Sequence, residues 1–253
     1  MIDFGYRFAA FRLPEVIMTI KVGCCGFPTA RSKYYAQFKA VEVQQTFYQP
    51  PMMRTLERWR AEAPPDFEFT LKAWQLVTHE AKSPTYRRLK LPWPPTKLAH
   101  CGSFKPTEEV AWAWEQTRKA ALALQARIVV FQTPVSFQPT EENRRNLRMF
   151  FEGVKRENLR FVWEVRGIWT RKEVEDLCRD YDLILGVDPF KADPPSRGTR
   201  YLRLHGITGY KYRFTENDLG DLKGKCSEDF YCLFNNVSMW TDALTFQKLL
   251  SVT

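Results

Sequence analysis

The sequence predicts a single TIM-like (β/α)₈ barrel of parallel strands with its site at the C-terminal mouth. Three observations carry that expectation: eight short apolar runs, helical patterns in the gaps between them, and a length of 253 residues. Such a length suits one large α/β domain better than two small ones. The runs are Ile20–Cys24, Ala40–Gln44, Phe67–Lys72, Ile128–Gln132, Phe161–Val165, Leu183–Val187, Tyr201–His205 and Phe230–Phe234. All are rich in β-branched and aromatic residues and too short to be helices. Helical patterns fall at Thr55–Ala63 after the second run, Thr107–Leu124 before the fourth, Thr140–Val154 before the fifth and Arg171–Asp180 before the sixth; Trp240–Leu250 closes the chain. An open doubly wound sheet is the competing arrangement. It would place a glycine-rich phosphate loop after the first strand, and Gly23-Cys24-Cys25-Gly26 is too short and wrongly spaced for one. The Pro- and Trp-rich segment Trp74–Pro106 reads as an extended loop that caps the mouth.

Hydrophobic residues at 44% and aromatics at 15% supply a packed core and exclude a disordered chain. Lys and Arg (38) exceed Asp and Glu (29), a formal charge of +9. That surplus favours anionic partners, whether a small phosphorylated molecule, nucleic acid or an acidic protein, and it equally describes a solvated basic surface. Its densest patches are Arg54–Arg60, Tyr86–Lys90 and Asn143–Arg148. The six cysteines show no CxxC spacing. With no cleavable leader pattern they read as reduced thiols of a cytoplasmic protein. No run approaches the roughly 18 apolar residues that a membrane span needs. Residues 1–17 read as a short appended arm or a start-site artefact ahead of Met18, leaving 18–253 as the barrel domain.

In a parallel barrel alternate residues point inward, and reactive groups gather at the C-terminal ends of the strands. That rule selects Glu42 with Gln44 on strand two, Lys72 in phase with Thr70 on strand three, and Gln132 at the end of strand four. It goes on to Glu164 and Arg166 on strand five, Asp188 after strand six, Arg203 with His205 on strand seven, and Asn235-Asn236 after strand eight. Glu42, Lys72, Glu164 and Arg203 lie within strands, where an unpaired buried charge is costly. An internal layer of ion pairs, for example Glu42 with Lys72 and Glu164 with Arg203, would compensate them. A preorganised cluster that binds a charged ligand would do so too. Within such a cluster His205 is the natural proton shuttle, and Glu164 or Asp188 is a general base or a metal ligand. Lys72, Arg166 and Arg203 would hold a phosphate or carboxylate, Asn235 and Asn236 a substrate oxygen. Tyr48, Tyr210 and Tyr212 would wall the pocket or pack at its rim.

Several of these segments resemble, in order, the motifs of the YecE-like family, the "domain of unknown function 72". Val41–Tyr48 is similar to its VEINSTFY signature, Phe67–Lys72 with Thr78-His79 to its F-x-F-x-x-K…TH segment, and Phe131–Pro134 to its FQLPP. Trp163–Arg166 with Trp169 resembles E-x-R-x-x-W, Arg203–Gly206 resembles RLHG, and Phe234–Asn236 resembles FNN. The resemblance runs from residue 20 to about 250. It implies a TIM-like barrel and adds His79 to the set that belongs together, but it implies no reaction. Two departures stand out: Cys24-Cys25 where the family carries small hydroxyl residues, and Gln44-Gln45 where it carries Asn-Ser.

The sequence therefore leads to an enzyme acting at the mouth on an anionic, phosphate-bearing substrate, with nucleic-acid hydrolysis as one form of it. An isomerase or lyase of a small sugar phosphate or carboxylate is the alternative, and a non-catalytic module binding an anion or nucleic acid is a third. A divalent metal held by carboxylates is compatible with the acids present. A trinuclear zinc site is not, since the chain has three histidines.

Overall fold

Eight strands hydrogen-bond in sequence order, and the eighth pairs with the first, so the sheet closes into a barrel in which every pairing is parallel. The computed structural model describes residues 20–195, 198–226 and 230–251; the expected boundary between 1–17 and 18–253 lies outside them. The strands are β1 (Ile20–Cys25), β2 (Ala40–Val43), β3 (Glu68–Lys72), β4 (Ile128–Gln132), β5 (Arg160–Glu164), β6 (Leu183–Val187), β7 (Arg200–Leu204) and β8 (Phe230–Phe234). Their ends agree with the sequence reading to within a residue. Gln44 shows why they are not identical: its backbone has already turned into the helical region and opens the short helix Gln45–Tyr48.

Threonines set where the larger helices begin. Thr107 and Thr140, expected inside their helices, stand just before them and accept from the backbone amides of Val110 and Asn143. Thr170 and Thr215 each form a reciprocal capping box, with Glu173 and Asp218. Such a cap satisfies amides that the first turn leaves unpaired. The helix Glu216–Gly224 that Thr215 starts was not expected, although Thr-Glu-Asn-Asp carries the capping pattern. Between β6 and β7 no helix forms among the described residues; Pro189, Pro194 and Pro195 interrupt that stretch, and proline removes the amide a helix needs. Trp74–Pro106, expected as extended loop, contains the short helices Gln75–Thr78 and Pro95–Leu98 and a 3₁₀ turn at Pro84–Arg88.

The barrel wall has two apolar faces. One packs against the helices and includes Val41, Phe69, Phe131, Phe161 and Leu202. The other fills the lumen with Ala40, Ile128, Val130, Val162, Tyr201 and Leu233. Strand residues alternate between the two faces, so Glu42, Lys72, Glu164 and Arg203 fall in phase with the lumen set. Gly186 pairs with Glu164 across the β5–β6 ladder. A Cβ there would come within 2.7 Å of Val162 Cγ1 and 3.4 Å of Glu164 Cβ. The missing side chain makes room for Val162, the residue two before the glutamate on β5.

Candidate functional site

Arg203, in β7, organises the charged end of the lumen. Its Nε donates to Glu42 Oε2 at 2.9 Å and its Nη2 to Glu42 Oε1 at 2.7 Å, a two-bond clasp on one carboxylate. Its Nη1 donates to Glu164 Oε2 and, at 3.2 Å, to Gln132 Oε1. A planar guanidinium suits this, because its donors leave in two fixed directions. Glu42 also accepts from the Tyr201 hydroxyl at 2.9 Å and from the Gln44 side-chain amide, and Tyr201 meets Thr70 Oγ1 at 2.7 Å. Neither Glu42 nor Arg203 is exposed to solvent at all. Of the two pairs offered as an example of an internal ion layer, Glu164 with Arg203 forms, whereas Glu42 goes to Arg203 instead of Lys72. The structure also withdraws Arg203 and Glu42 from the direct substrate contact expected of them, since both are sealed and every guanidinium nitrogen is engaged.

Glu164 ends β5 and receives a second arginine. Arg166, two residues on, turns back so that its Nε donates to Glu164 Oε1 at 2.6 Å. Burial pushes the Glu164 carboxyl up, but the Arg203 and Arg166 guanidiniums overcome it and hold the group down at about 2. A carboxylate so held is a poor general base. His205 is no freer: Arg166 Nη2 lies 2.8 Å from its Nε2, and its Nδ1 stands 3.4 Å from Asp188 Oδ2. Arginine only donates, so Nε2 accepts and the ring proton sits on Nδ1, toward the carboxylate. Asp188 accepts from the backbone amides of His205 and Phe190, each at 3.1 Å. Burial raises Asp188, while these bonds and the imidazole bring it below its ordinary value. The acid–base trio expected at Glu164, Asp188 and His205 is brought together; Glu164 and His205 Nε2 are bonded to Arg166, while His205 Nδ1 faces Asp188 without a hydrogen bond.

Lys72, the last residue of β3, stands apart. It is 6% exposed, and its Nζ lies 3.6 Å from the centroid of the Phe47 ring. Among the described residues no carboxylate comes within 4.0 Å of that nitrogen and no acceptor receives a hydrogen bond from it. Burial, and after it the Arg203 guanidinium, lowers the amine to about 7, with the Glu164 and Glu42 carboxylates recovering only part of the loss. His79 is brought near by the segment after β3: its ring packs edge-on to Phe47 at 4.9 Å and its Nδ1 meets Thr78 Oγ1 at 2.8 Å. Burial, then Lys72, lowers it to about 3, so it is a neutral imidazole at ordinary pH.

Two cavities open on these groups. One, of about 450 Å³, is walled by Gln44, Lys72, Gln132 and Asn235 at the ends of β2, β3, β4 and β8, by His79, Thr85 and Arg88 of the long segment, and by Tyr210. No acidic residue lines it. The other, of about 300 Å³, lies beside β5 and β6, where Glu164, Arg166, Asp188 and His205 meet Trp169, Val174 and Leu185. Asn236, expected to face a substrate, instead donates to Tyr212 O at 2.7 Å and Asp242 Oδ2 at 2.6 Å. Gln45, Thr85 and Arg88 were not expected as site residues. Arg88 lay in the basic patch Tyr86–Lys90, and Gln44-Gln45 follows Val43 at the end of β2, which were the available signals. Cys25 Sγ sits 3.8 Å from Arg203 Nη2 and touches the network only weakly. A divalent ion does not fit this donor set: Glu42, Glu164 and Asp188 are each committed to a guanidinium or imidazole partner. Among the described residues no three His, Cys, Asp or Glu side chains converge to hold one.

A family model described as "Protein of unknown function DUF72" matches residues 28–252. Among solved structures, a DUF72 family protein of Enterococcus faecalis V583 is 19% identical, with a TM-score of 0.69 over 93% of this chain and 99% of that one. A DUF72 family protein of Thermotoga maritima MSB8 is 22% identical, with a TM-score of 0.65 over 92% and 99%. A protein described as AP endonuclease, family 2, from Brucella melitensis is 10% identical, with a TM-score of 0.56 over 93% and 99%. At these identities the likeness is one of fold. Comparison with curated proteins gave no match.

Proposed function

The chain belongs to the DUF72 family, and from that premise, which brings a barrel but no reaction, we propose an enzyme that takes a small anionic, sugar-like substrate into the cavity beside Lys72. The observation that carries this reading is a buried amine with no acidic partner, opening on a cavity with no acidic wall. A buried cation without a counter-ion is unfavourable until an anion arrives. Arg88 adds a second positive charge at the rim, its guanidinium 3.6 Å above the Tyr48 ring. Gln44, Gln45, Gln132 and Asn235 supply amides that both donate and accept, the chemistry that binds hydroxyl groups. About 450 Å³ admits a small metabolite or a single nucleotide.

This favours isomerase or lyase chemistry over hydrolysis of nucleic acid. Phosphodiester hydrolysis commonly draws on a metal-bound water, and the carboxylates that would hold the metal are each engaged by a guanidinium or the imidazole. An amine at about 7 is divided between its two forms at neutral pH, so Lys72 is the group able to take and return a proton in the cavity. The sealed Arg203 and its two glutamates act on the substrate only through their field and by fixing the floor. The six cysteines, none in a disulfide, accord with a cytoplasmic setting. No helix among the described residues is long and apolar enough to cross a membrane.

Calorimetric titration with ribose 5-phosphate and, separately, with a single-stranded oligonucleotide tests the reading. Saturable binding of the sugar phosphate that Lys72→Met abolishes and Arg88→Ala weakens would support it. Tight oligonucleotide binding that neither substitution alters would sink it, and would move the nucleic acid to the outer basic surface.

A further inference from the structure

We propose that Lys72 Nζ is a nucleophile, forming an imine with a carbonyl carbon of the substrate. The inference rests on reading the neighbouring cavity as a site for a small anionic substrate, and it names the class: an aldose, ketose or keto acid with a free carbonyl.

Among the described residues Lys72 is the one buried lysine. The half-buried lysines are occupied: Lys21 reaches Glu68 at 3.1 Å, Lys105 donates to Ala99 O at 2.9 Å, Lys223 to Leu249 O at 2.9 Å, and Lys225 to Pro189 O at 2.7 Å. Lys72 lies against the Phe47 ring, and both line the cavity. Burial keeps water from solvating its charge, the Phe47 face returns only part of that loss by cation–π attraction, and no carboxylate among the described residues lies within ion-pair reach. These are the conditions that leave an amine with its lone pair available at neutral pH. A lysine meant only to clamp phosphate has no need of such desolvation, and Arg88 already offers a clamp at the rim.

The step is balanced without an oxidant or reductant. The nitrogen lone pair forms the C–N bond as the carbonyl π pair moves to oxygen, and the proton shed by nitrogen goes to that oxygen, giving a carbinolamine. The hydroxyl takes one further proton from water and leaves as water, and the nitrogen lone pair closes the C=N⁺ bond. The cationic imine then withdraws electrons from the adjacent carbon, which is what isomerisation or C–C cleavage requires. Addition of water reverses the sequence and frees the lysine. Gln132 and Asn235, at the ends of β4 and β8, border the same space and can donate to the oxygen while it leaves.

The test is reductive trapping. The whole protein is mixed with ribose 5-phosphate, pyruvate or 2,4-pentanedione; borohydride is added to the first two, and the coloured enaminone is read directly for the third. Adducts are located by peptide mass mapping, and phosphate binding is measured in parallel by calorimetry. The expected result is one adduct per chain on Lys72, at least tenfold faster than on surface lysines at pH 7, and absent from Lys72→Arg. If phosphate binds but none of the three probes marks Lys72, the imine is overturned while the anion-binding reading stands. If Lys72 is marked though phosphate does not bind, the imine stands and the anionic substrate falls. Labelling that spreads evenly over lysines and persists in Lys72→Met overturns the proposal outright.

Discussion

Arg203 and Lys72 are both buried cations at the same end of one barrel lumen, and their surroundings treat them in opposite ways. Every nitrogen of the Arg203 guanidinium is bonded, to Glu42 from β2, to Glu164 from β5 and to Gln132 from β4. Lys72 meets an aromatic ring and a cavity. The glutamates that could have neutralised the lysine are spent on the arginine, whose own positive charge then helps to push the lysine toward its neutral form. The difference teaches that a satisfied ion cluster can be a tool for leaving its neighbour unsatisfied. One cation is satisfied from three strands, and the other is left facing a cavity.

The contrast can be broken most severely at Arg203. Arg203→Met strands two buried carboxylates, and removing one partner of a buried pair costs roughly 3–5 kcal/mol. Chemical denaturation should show that loss; an unchanged midpoint would mean the cluster is worth nothing to the fold. Lys72→Met runs the other way. It keeps the aliphatic stem and removes an unpartnered charge, so stability should rise by roughly 1–3 kcal/mol while ligand binding disappears. A Lys72→Met protein less stable than the parent would place a counter-ion beside that amine.

The pH dependence separates the two cations next. Lys72 titrates at about 7 when folded against an ordinary 10.5, so between those values the unfolded chain binds more protons and stability rises with pH. Urea midpoints measured across that window should climb in the parent and climb less in Lys72→Met. Glu164 is depressed from 4.5 to about 2, so its contribution is complete above 4.5 and drains away as the pH falls toward 2. The smallest effect is expected from Tyr201→Phe. It takes one bond from Glu42 and leaves the arginine clasp intact, a loss of about 1 kcal/mol by denaturation.

Period-two alternation was enough to find the strands and to turn Glu42, Lys72, Glu164 and Arg203 inward, because both follow from local chain geometry. Of the two ion pairs the sequence suggested, Glu164 with Arg203 is present and Glu42 with Lys72 is not. Partnership depends on the stagger of strands around the barrel: Arg203 reaches Glu42 from five strands further along the sequence, whereas Lys72, on the strand next to Glu42, does not. Tyr201 went unremarked although it shares the phase of Arg203, since a tyrosine in a strand reads as packing until its hydroxyl is seen on a carboxylate. Asn236 was drawn to the mouth by its neighbour Asn235, yet adjacent residues at a strand end point apart, and its amide serves the turn into helix Met239–Ser251. Arg166 came from the same local rule but turned back to join Glu164 to His205, a bend that no spacing encodes.

The clasp between Glu42 and Arg203 joins residues 161 positions apart, and that span has a meaning during synthesis. A ribosome delivers β2 long before β7, so the first four strands emerge carrying a carboxylate whose cation has not been made. Dry closure around Glu42 would cost several kcal/mol at that stage, and the nascent half must keep it in water. The later half carries its own Arg203–Glu164 pair and faces no such delay. The dry end of the lumen around Glu42 can thus be completed only after the seventh strand has been made, one strand before the eighth closes the sheet onto the first.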